Sequence, residues 1–349
     1  MSSLNEYIEK LHCADEAERA YAAEDIGYLN VSDGVPALLG RLGAEPSRAV
    51  RDTIFQALIR IDADESIEGA IRLLASEDPQ IRNQAVEVLR HKGARSIPFL
   101  TNVMGEGDKD LRKLVLDVLS EVDEDGTVAI YQVALSDPDP NVVITAVENL
   151  GKMRAESFRN RIEDLLQAGS HPMLAGACLE ALVGIGNESS LAAIRRHFPD
   201  LTTLPDFFLV PCLRAMGALG AAADLLELAG LLGTRDPHLR PAILGALIAI
   251  QEHHPAKDGD AVLLPALEAV VEGGDPPLCR YQAVRALSFS CSRDEVYSFL
   301  VSCLSSTERL VRLGAAETLR GNQRPGWAFV LAARALEESD EEVLQALSC

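Results

Sequence analysis

The sequence predicts an all-α fold in which about ten to eleven helical hairpins stack side by side as an alpha-solenoid. Three observations predict it: a pattern that returns about every 31 residues, apolar residues spaced for one helix face, and a helix-start signal before many copies. Composition agrees, because 48% of the residues are apolar while only 5% are aromatic. Small aliphatic side chains suit close packing between helices.

The clearest copy of the repeat runs from Asp78 to Leu89, and each copy is numbered here from the residue that occupies the place of Arg82. In chain order, this position zero is held by Arg19, Arg51, Arg82, Arg112, Val143, Ala175, Leu209, Arg240, Arg280 and Arg312. Successive copies are 30 to 34 residues apart, except for one step of 40. Apolar residues recur at positions +3 and +7, which lie on one face of a helix.

Helix-start signals precede several copies, and a second amphipathic stretch lies between copies. Asp78-Pro79, Asp139-Pro140 and Asp275-Pro276 each combine an N-cap residue with a proline suited to the first helical turn. Residues 66–74 and 97–104 are examples of the additional stretch. Each unit is therefore predicted to be a helical hairpin, whose apolar faces are covered only when neighbouring hairpins stack.

The repeat resembles the HEAT-like family, and most closely its short-repeat, phycobilisome-lyase-like branch. The resemblance is carried by two segments, Asp78-Pro79-x-Ile81-Arg82-x-x-Ala85-Val86-Glu87-x-Leu89 and Leu310-Val311-Arg312-x-x-Ala315-Ala316-Glu317-x-Leu319. A period near 31 is shorter than the ~40–47 residues of longer HEAT and armadillo repeats. The resemblance covers about residues 15 to 349 and implies a superhelix whose second helices, which carry position zero, line the concave side.

We expect one solenoid over residues 1–349, with two irregularities and an incomplete last unit. A longer join near 198–208, with Pro199 and Pro205, predicts a bend, and a loop insertion near 252–260 accounts for the step of 40. In the last unit, from Pro325 onwards, Trp327 and Phe329 are expected to cover the open end of the core.

The residue at position +5 is polar in nine of the ten copies, and we call this series the +5 stripe. It consists of Glu24, Gln56, Glu87, Asp117, Glu148, Glu180, Arg214, Gly245, Arg285 and Glu317. Six of these residues are carboxylates, so the resemblance implies an acidic stripe along the concave groove. Its polar members are the candidate partner-binding residues.

Two interpretations of these charges remain open, and they are compatible. In the first, arginines and carboxylates form an inter-repeat ladder that fixes the stacking of the hairpins. Its members would be Arg19, Arg51, Arg82, Arg112, Arg240, Arg280 and Arg312. In the second, the groove selects a basic or amphipathic helical segment of another protein, because electrostatic complementarity sets on-rate and specificity.

Charge and cysteine content restrict the partner and the compartment. The net charge of −21 disfavours nucleic acid and anionic membrane surfaces, although it also serves to keep a leucine-rich array soluble. Seven cysteines without a Cys-x-x-Cys pair indicate reduced thiols and hence the cytoplasm. The segment from Met1 to Lys10 lacks the apolar run of a signal peptide, and no membrane span is expected.

No motif for nucleotide binding, hydrolysis or metal binding is present, so we expect no cofactor. His253, His254, Asp258 and Asp260 are the one metal-like group, but their spacing fits no familiar ligand set, and a polar loop is expected. The sequence therefore predicts a non-catalytic scaffold or adaptor. The alternatives are a phycobilin lyase-like subunit or chaperone, suggested by the repeat type, and an assembly or regulatory subunit of a larger complex.

Overall fold

The computed structural model describes residues 4–120, 127–169, 171–253, 263–288, 293–322 and 324–348. The chain divides into two compact units, Met1–Met153 and Arg154–Cys349. Throughout the described residues, the regular structure consists of α-helices and short 3-10 turns, without strands. The predicted all-α alpha-solenoid is thereby confirmed, whereas a single array over the whole chain stays a prediction.

Unit 1 contains five helical hairpins, in which the odd-numbered helix is the first and the even-numbered helix is the second. Its helices are α1 (Leu4–Lys10), α2 (Glu16–Leu29), α3 (Val35–Leu42), α4 (Arg48–Arg60), α5 (Asp64–Leu73), α6 (Pro79–Lys92), α7 (Ile97–Glu106), α8 (Lys109–Ser120), α9 (Thr127–Ala134) and α10 (Pro140–Lys152). Position zero of the repeat lies on each second helix. Successive second helices, such as α2 and α4 or α8 and α10, pack against one another.

Unit 2 continues the alternation of first and second helices. Its helices are α11 (Arg159–Ala168), α12 (Pro172–Ile185), α13 (Glu188–His197), α14 (Asp206–Leu219), α15 (Leu225–Thr234), α16 (Arg240–His253), α17 (Leu263–Glu272), α18 (Pro277–Ala286), α19 (Asp294–Cys303), α20 (Arg309–Asn322), α21 (Trp327–Ala335) and α22 (Glu341–Leu347). Neighbouring second helices again pack on each other, as α14 does on α16 and α18 on α20.

The helix starts follow the sequence signals where the aspartate is free to cap. Asp78 accepts a hydrogen bond from the Gln80 N–H at 2.8 Å, and Asp139 accepts one from Asn141 at the same distance. Asp275 does not cap its helix. Its carboxylate accepts a hydrogen bond of 2.5 Å from the Arg240 guanidinium, and α18 begins only at Pro277. An ion pair has taken the carboxylate that would otherwise cap the helix.

The core consists of the predicted positions +3 and +7 together with the apolar faces of the first helices. Leu58, Leu89, Leu119 and Leu150 are all buried, as the repeat requires. Small residues let the second helices approach closely, since a Cβ added to Gly27 would lie 2.8 Å from the Cα of Ala57. Tight packing of this kind gains dispersion contacts along the whole stack.

The structure describes the join near 198–208 but only the first two residues of the insertion near 252–260. The join between α13 and α14 is packed, because Leu204 is buried and Arg235 donates to the carbonyl oxygens of Thr202 at 2.6 Å and Leu204 at 2.9 Å. The bend near 198–208 stays a prediction. The insertion near 252–260 lies outside the described residues apart from its first two positions, and so do His254, Asp258 and Asp260.

The expectation for the last unit is wrong for Phe329, whose side chain is 81% exposed. Trp327 is half-buried, and Leu331, one turn later on α21, is fully buried. Residues four apart share a helix face, whereas Phe329 lies midway between them and points away from that face. Aromatic character alone did not indicate which side of the helix meets the core.

Candidate protein-binding surface

The +5 stripe lies on the solvent-facing side of the second helices. Positions −2, +2, +5 and +9 are spaced by four, three and four residues, so they share one helix face. All ten +5 residues are exposed or half-buried in the structure, consistent with a surface that remains available after the hairpins stack. The lining of a concave groove by this stripe stays a prediction.

Most charged residues of the +5 stripe already have partners of opposite sign. Glu87 accepts hydrogen bonds from Arg90, the shorter at 2.6 Å, and Glu317 accepts one from Arg285 at 2.9 Å. Glu24 faces Arg60 at 4.0 Å, and Glu180 receives the guanidinium of Arg214. These pairs leave little unbalanced charge at either end of the stripe, although their exposure makes each pair weak.

Asp117 on α8 and Glu148 on α10 differ from the rest of the stripe. Both carboxylates are exposed, and within the described part of the chain neither has an ion-pair partner. Nearby Lys113 is directed to Asp110, with 3.4 Å between the ammonium nitrogen and the carboxylate oxygen. The packed pair α8 and α10 therefore presents the unbalanced negative charge of the stripe.

The arginines at position zero contact a different set of carboxylates. Arg19 forms two hydrogen bonds of 2.9 Å to Glu45, and Arg112 forms bonds of 2.7 and 2.8 Å to Asp137. Arg312 binds Glu338 in the same two-bonded manner. These acidic residues lie 25 or 26 positions later, in the turn before the following second helix, and not in the +5 stripe. Sequence reasoning missed them, although the recurrent acidic residue at that spacing was a usable signal.

The other arginines of the predicted ladder show looser or altered contacts. Arg51 faces Asp78 at 3.5 Å, Arg280 faces Glu308 at 4.0 Å, and Arg240 contacts Asp275 as described above. Arg82 donates to the carbonyl oxygens of Ser76 and Glu77 at 2.7 and 3.0 Å, and no described carboxylate pairs with it. That this series fixes the stacking of the repeats stays a prediction.

Where Leu209 replaces arginine at position zero, the polarity of the contact is reversed. Arg235 lies 26 residues later, at the spacing where Glu45 follows Arg19 and Glu338 follows Arg312. Its guanidinium bonds to Asp206 at 2.7 Å as well as to the carbonyl oxygens of the join. The connection between the two repeats is retained with donor and acceptor exchanged.

Two buried carboxylates share one arrangement at opposite ends of the chain. Glu45 is held by Arg19 and Arg41, while Glu338 is held by Arg312 and Arg334. Burial by itself would raise the pKa of Glu45, but hydrogen bonds from Arg19, the Ser47 N–H and Arg41 lower that pKa to about 2. The bonds from Arg312 lower the pKa of Glu338 to about 2 as well.

The described residues contain free thiols and scattered metal-ligating side chains. No group of three or more His, Cys, Asp and Glu residues among them could hold a metal ion. The thiols of Cys178 and Cys212 are free and buried, and burial raises the pKa of each to about 12, which keeps them protonated. No helix in the part of the chain that the structure describes is long and apolar enough to cross a membrane.

Stacked helical hairpins with this repeat define the class of the protein as an alpha-solenoid. A family model for HEAT repeats matches residues 4–90 and 97–183, and the chain is a HEAT-like repeat protein. That match does not extend to the phycobilisome-lyase-like branch. No curated protein sequence matches the chain.

Solved structures of similar fold include karyopherins, at low sequence identity. A crystal structure of Kap121p shares 13% identity with a TM-score of 0.57, over 99% of this chain and 44% of that one. Kap121p bound to Ste12p gives 13% identity and a TM-score of 0.58, with the same coverage. A structure describing Kap95p binding to RanGDP gives 13% identity and a TM-score of 0.60, over 99% and 56%. The chain spans about half the length of these proteins, and the likeness concerns the fold.

Proposed function

We propose that this chain is a non-catalytic scaffold or adaptor that binds a basic segment of another protein on the solvent-facing side of its second helices. The observation that carries the proposal is the pair Asp117 and Glu148, exposed on neighbouring helices without ion-pair partners in the described residues. Exposed carboxylates that are not already paired are free to meet lysine or arginine side chains. Such charges raise the association rate and reject acidic partners.

The rest of the molecule supports this choice of surface. The other stripe carboxylates already face Arg60, Arg90, Arg214 or Arg285, so Asp117 and Glu148 are the stripe carboxylates left without an ion-pair partner among the described residues. The position-zero arginines are engaged in turns and do not compete for Asp117 or Glu148. Kap121p, a solenoid of similar fold, has been solved bound to Ste12p, which supports protein binding as the role of such a scaffold.

The experiment replaces both carboxylates with lysine and measures partner capture. Asp117→Lys/Glu148→Lys protein and wild type are used as bait in extracts of the native source, and bound proteins are quantified by mass spectrometry. We expect a partner with a basic segment to be lost from the double variant. The control is Glu65→Lys/Glu68→Lys on the first helix α5, which makes the same change in net charge at two exposed positions. Equal capture by both variants would contradict the proposal.

The proposal also covers the extent of the array, the compartment and the type of partner. We propose one continuous array over residues 1–349, a cytoplasmic location for which the free, reduced thiols are the support, and a protein partner in preference to nucleic acid. The bilin lyase-like alternative is supported by the repeat period alone. Mixing the chain with a linear tetrapyrrole tests it, since binding would shift the visible absorbance. Size-exclusion chromatography of native lysate tests whether the chain is a permanent subunit of a larger complex.

A further inference from the structure

The second helices of unit 2 expose a row of apolar residues at position −2 that unit 1 lacks. In unit 1 the −2 residues are Ala17, Ala49, Gln80, Asp110 and Asn141; in unit 2 they are Met173, Phe207, His238, Leu278 and Leu310. Met173, Phe207 and Leu278 have side chains 55%, 52% and 61% exposed. Large apolar side chains thus recur at one repeat position on α12, α14 and α18, with His238 in the place between Phe207 and Leu278, a recurrence that scattered surface hydrophobes do not show.

Small residues lie beside this row on α12 and α16. A Cβ added to Gly176 on α12 would lie 3.7 Å from the Phe207 ring, so the ring on α14 reaches across to the neighbouring helix. A Cβ added to Gly245 on α16 would meet no atom within 4 Å, which leaves open space above that helix. Ala242 and Ala249 share the same face of α16. Apolar side chains from another molecule would find both contact and room here.

Charged groups around the row are paired with each other. Arg214 binds Glu180, Arg285 binds Glu317 at 2.9 Å, and His238 lies 2.9 Å from an oxygen of Asp206. A ligand charge of either sign gains little beside groups that are already matched. The face of unit 2 therefore favours burial of apolar area, in contrast to the unbalanced carboxylates on α8 and α10.

Two arguments select the occupant. A second copy of this chain would bring a net charge of −21 against an equal charge, whereas a partner with basic residues beside its apolar ones is attracted. The described face is built from helices and offers no strand edge, so an extended segment cannot add to it through backbone pairing. An amphipathic helix presents apolar side chains at intervals of three and four residues, which suits a surface lined by helices.

We infer that the second-helix face of unit 2 binds the apolar side of an amphipathic helix from a partner protein, with basic residues flanking that side. This inference rests on the proposed function and specifies the partner more closely. Phe207 and Met173 form one contact point and Leu278 another. The net charge of −21 attracts the basic flanks from a distance, while burial of the apolar side supplies most of the affinity at the face itself.

The test uses the full chain and two synthetic peptides, followed by fluorescence anisotropy. One peptide is an amphipathic helix with leucine on one side and lysine on the other; the second has serine in place of leucine and keeps every lysine. We expect wild type to bind the leucine peptide about tenfold tighter or more, since roughly 1.4 kcal/mol of apolar burial corresponds to tenfold in Kd. The Met173→Ser/Phe207→Ser/Leu278→Ser variant should bind both peptides equally.

A matched control carries Leu226→Ser and Phe329→Ser, which remove exposed apolar side chains from the first helices α15 and α21. This control should keep the preference for the leucine peptide, and circular dichroism should show that both variants are folded. Equal binding of the two peptides by wild type would overturn the inference. So would a wild-type dimer that the triple variant converts to a monomer in sedimentation velocity.

Failure of the inference and failure of the proposed function give different results. In one outcome, Asp117→Lys/Glu148→Lys weakens binding of the serine peptide while the triple serine variant binds both peptides as wild type does. That result would support the acidic surface and contradict the apolar one. If the lysine substitutions leave the serine peptide unaffected, the proposed function itself fails.

Discussion

Arg19 illustrates how a single side chain joins two repeats. Its Nε and Nη2 donate to the carboxylate of Glu45 in the following turn, while Nη1 donates to the carbonyl oxygens of Cys13 and Ala14 before its own helix. The planar guanidinium suits two-bonded carboxylate contacts, which makes such pairs stronger than contacts to one oxygen. With both charges buried, each depends on the other for compensation.

The Glu45→Gln substitution is expected to destabilise unit 1 by about 3 kcal/mol at pH 7, because it leaves buried arginine charge uncompensated. The pKa of Glu45 is about 2 in the folded chain against its usual 4.5. A lowered pKa means that the stabilisation is complete above pH 4.5 and is lost as pH falls towards 2. In urea unfolding, the free energy of unfolding of the variant should therefore lie well below that of wild type at pH 7, and the difference should be smaller at pH 3.

Glu18→Gln, an exposed change on the same helix as Arg19, is the control for this measurement and should unfold like wild type. A Glu45→Gln protein as stable as wild type at pH 7 would show that the arginine contacts do not fix the stacking of these repeats.

His238 provides a prediction about protonation at the surface. Hydrogen bonds to Asp236 and Asp206 raise the pKa of His238 above its usual 6.5, so the ring stays protonated to higher pH. We expect Asp236→Asn to lower that pKa, because the substitution removes the larger cause of the shift. Histidine-selective NMR titration measures it, with Asp33→Asn as a distant acidic control. An unchanged titration in Asp236→Asn would contradict the contact.

At the scale of helices, the spacing between second helices depends on small residues at the points of contact. A Cβ on Gly27 would lie 2.8 Å from the Cα of Ala57, which is backbone and cannot rotate away. A Cβ on Gly40 of α3 would meet nothing within 4 Å. Glycine is therefore required for close packing at position 27 of α2, whereas position 40 of α3 has room for a side chain.

The two glycines form a matched pair of substitutions. Gly27→Ala should destabilise the chain by about 1 to 3 kcal/mol, because α2 and α4 must separate. Gly40→Ala should be neutral or stabilising by about 0.5 to 1 kcal/mol, because alanine restricts the unfolded chain and favours helix. Thermal unfolding followed by circular dichroism compares them. Equal effects of the two substitutions would contradict the close approach of α2 and α4.

At the scale of the whole molecule, net charge opposes compaction. A charge of −21 over 349 residues creates self-repulsion, which dissolved salt screens at exposed groups. Buried contacts such as Arg19 with Glu45 are screened less than exposed ones. The balance of these two effects should favour stabilisation by moderate salt.

We therefore expect the Tm of wild type to rise when sodium chloride increases from about 20 mM to about 300 mM, where the Debye length falls to well under 10 Å. The Asp117→Lys/Glu148→Lys variant, which carries less negative charge, should show a smaller rise. A Tm that falls with salt would contradict this expectation, because it would mean that exposed ion pairs stabilise the fold by more than the repulsion between like charges destabilises it. Differential scanning fluorimetry suffices for the comparison.

The sequence determined the helices, their pairing into hairpins and the identity of the core, because apolar spacing along one chain fixes which helix face must be buried. Leu58, Leu89 and Leu119 were assigned to the interior correctly on that basis. It also determined which residues form the +5 stripe, since helical phase places position +5 beside the core and towards solvent.

Only the tertiary structure decided which side chains meet across repeats. The partner of Arg19 is Glu45 and not Glu24, because the turn before α4 brings Glu45 against the guanidinium. Tertiary packing likewise decided that Phe329 faces solvent and that Asp117 and Glu148 lack ion-pair partners among the described residues. The physical reason is that periodicity within a helix is local, whereas contacts between repeats depend on the path of each turn and the distance between neighbouring helices.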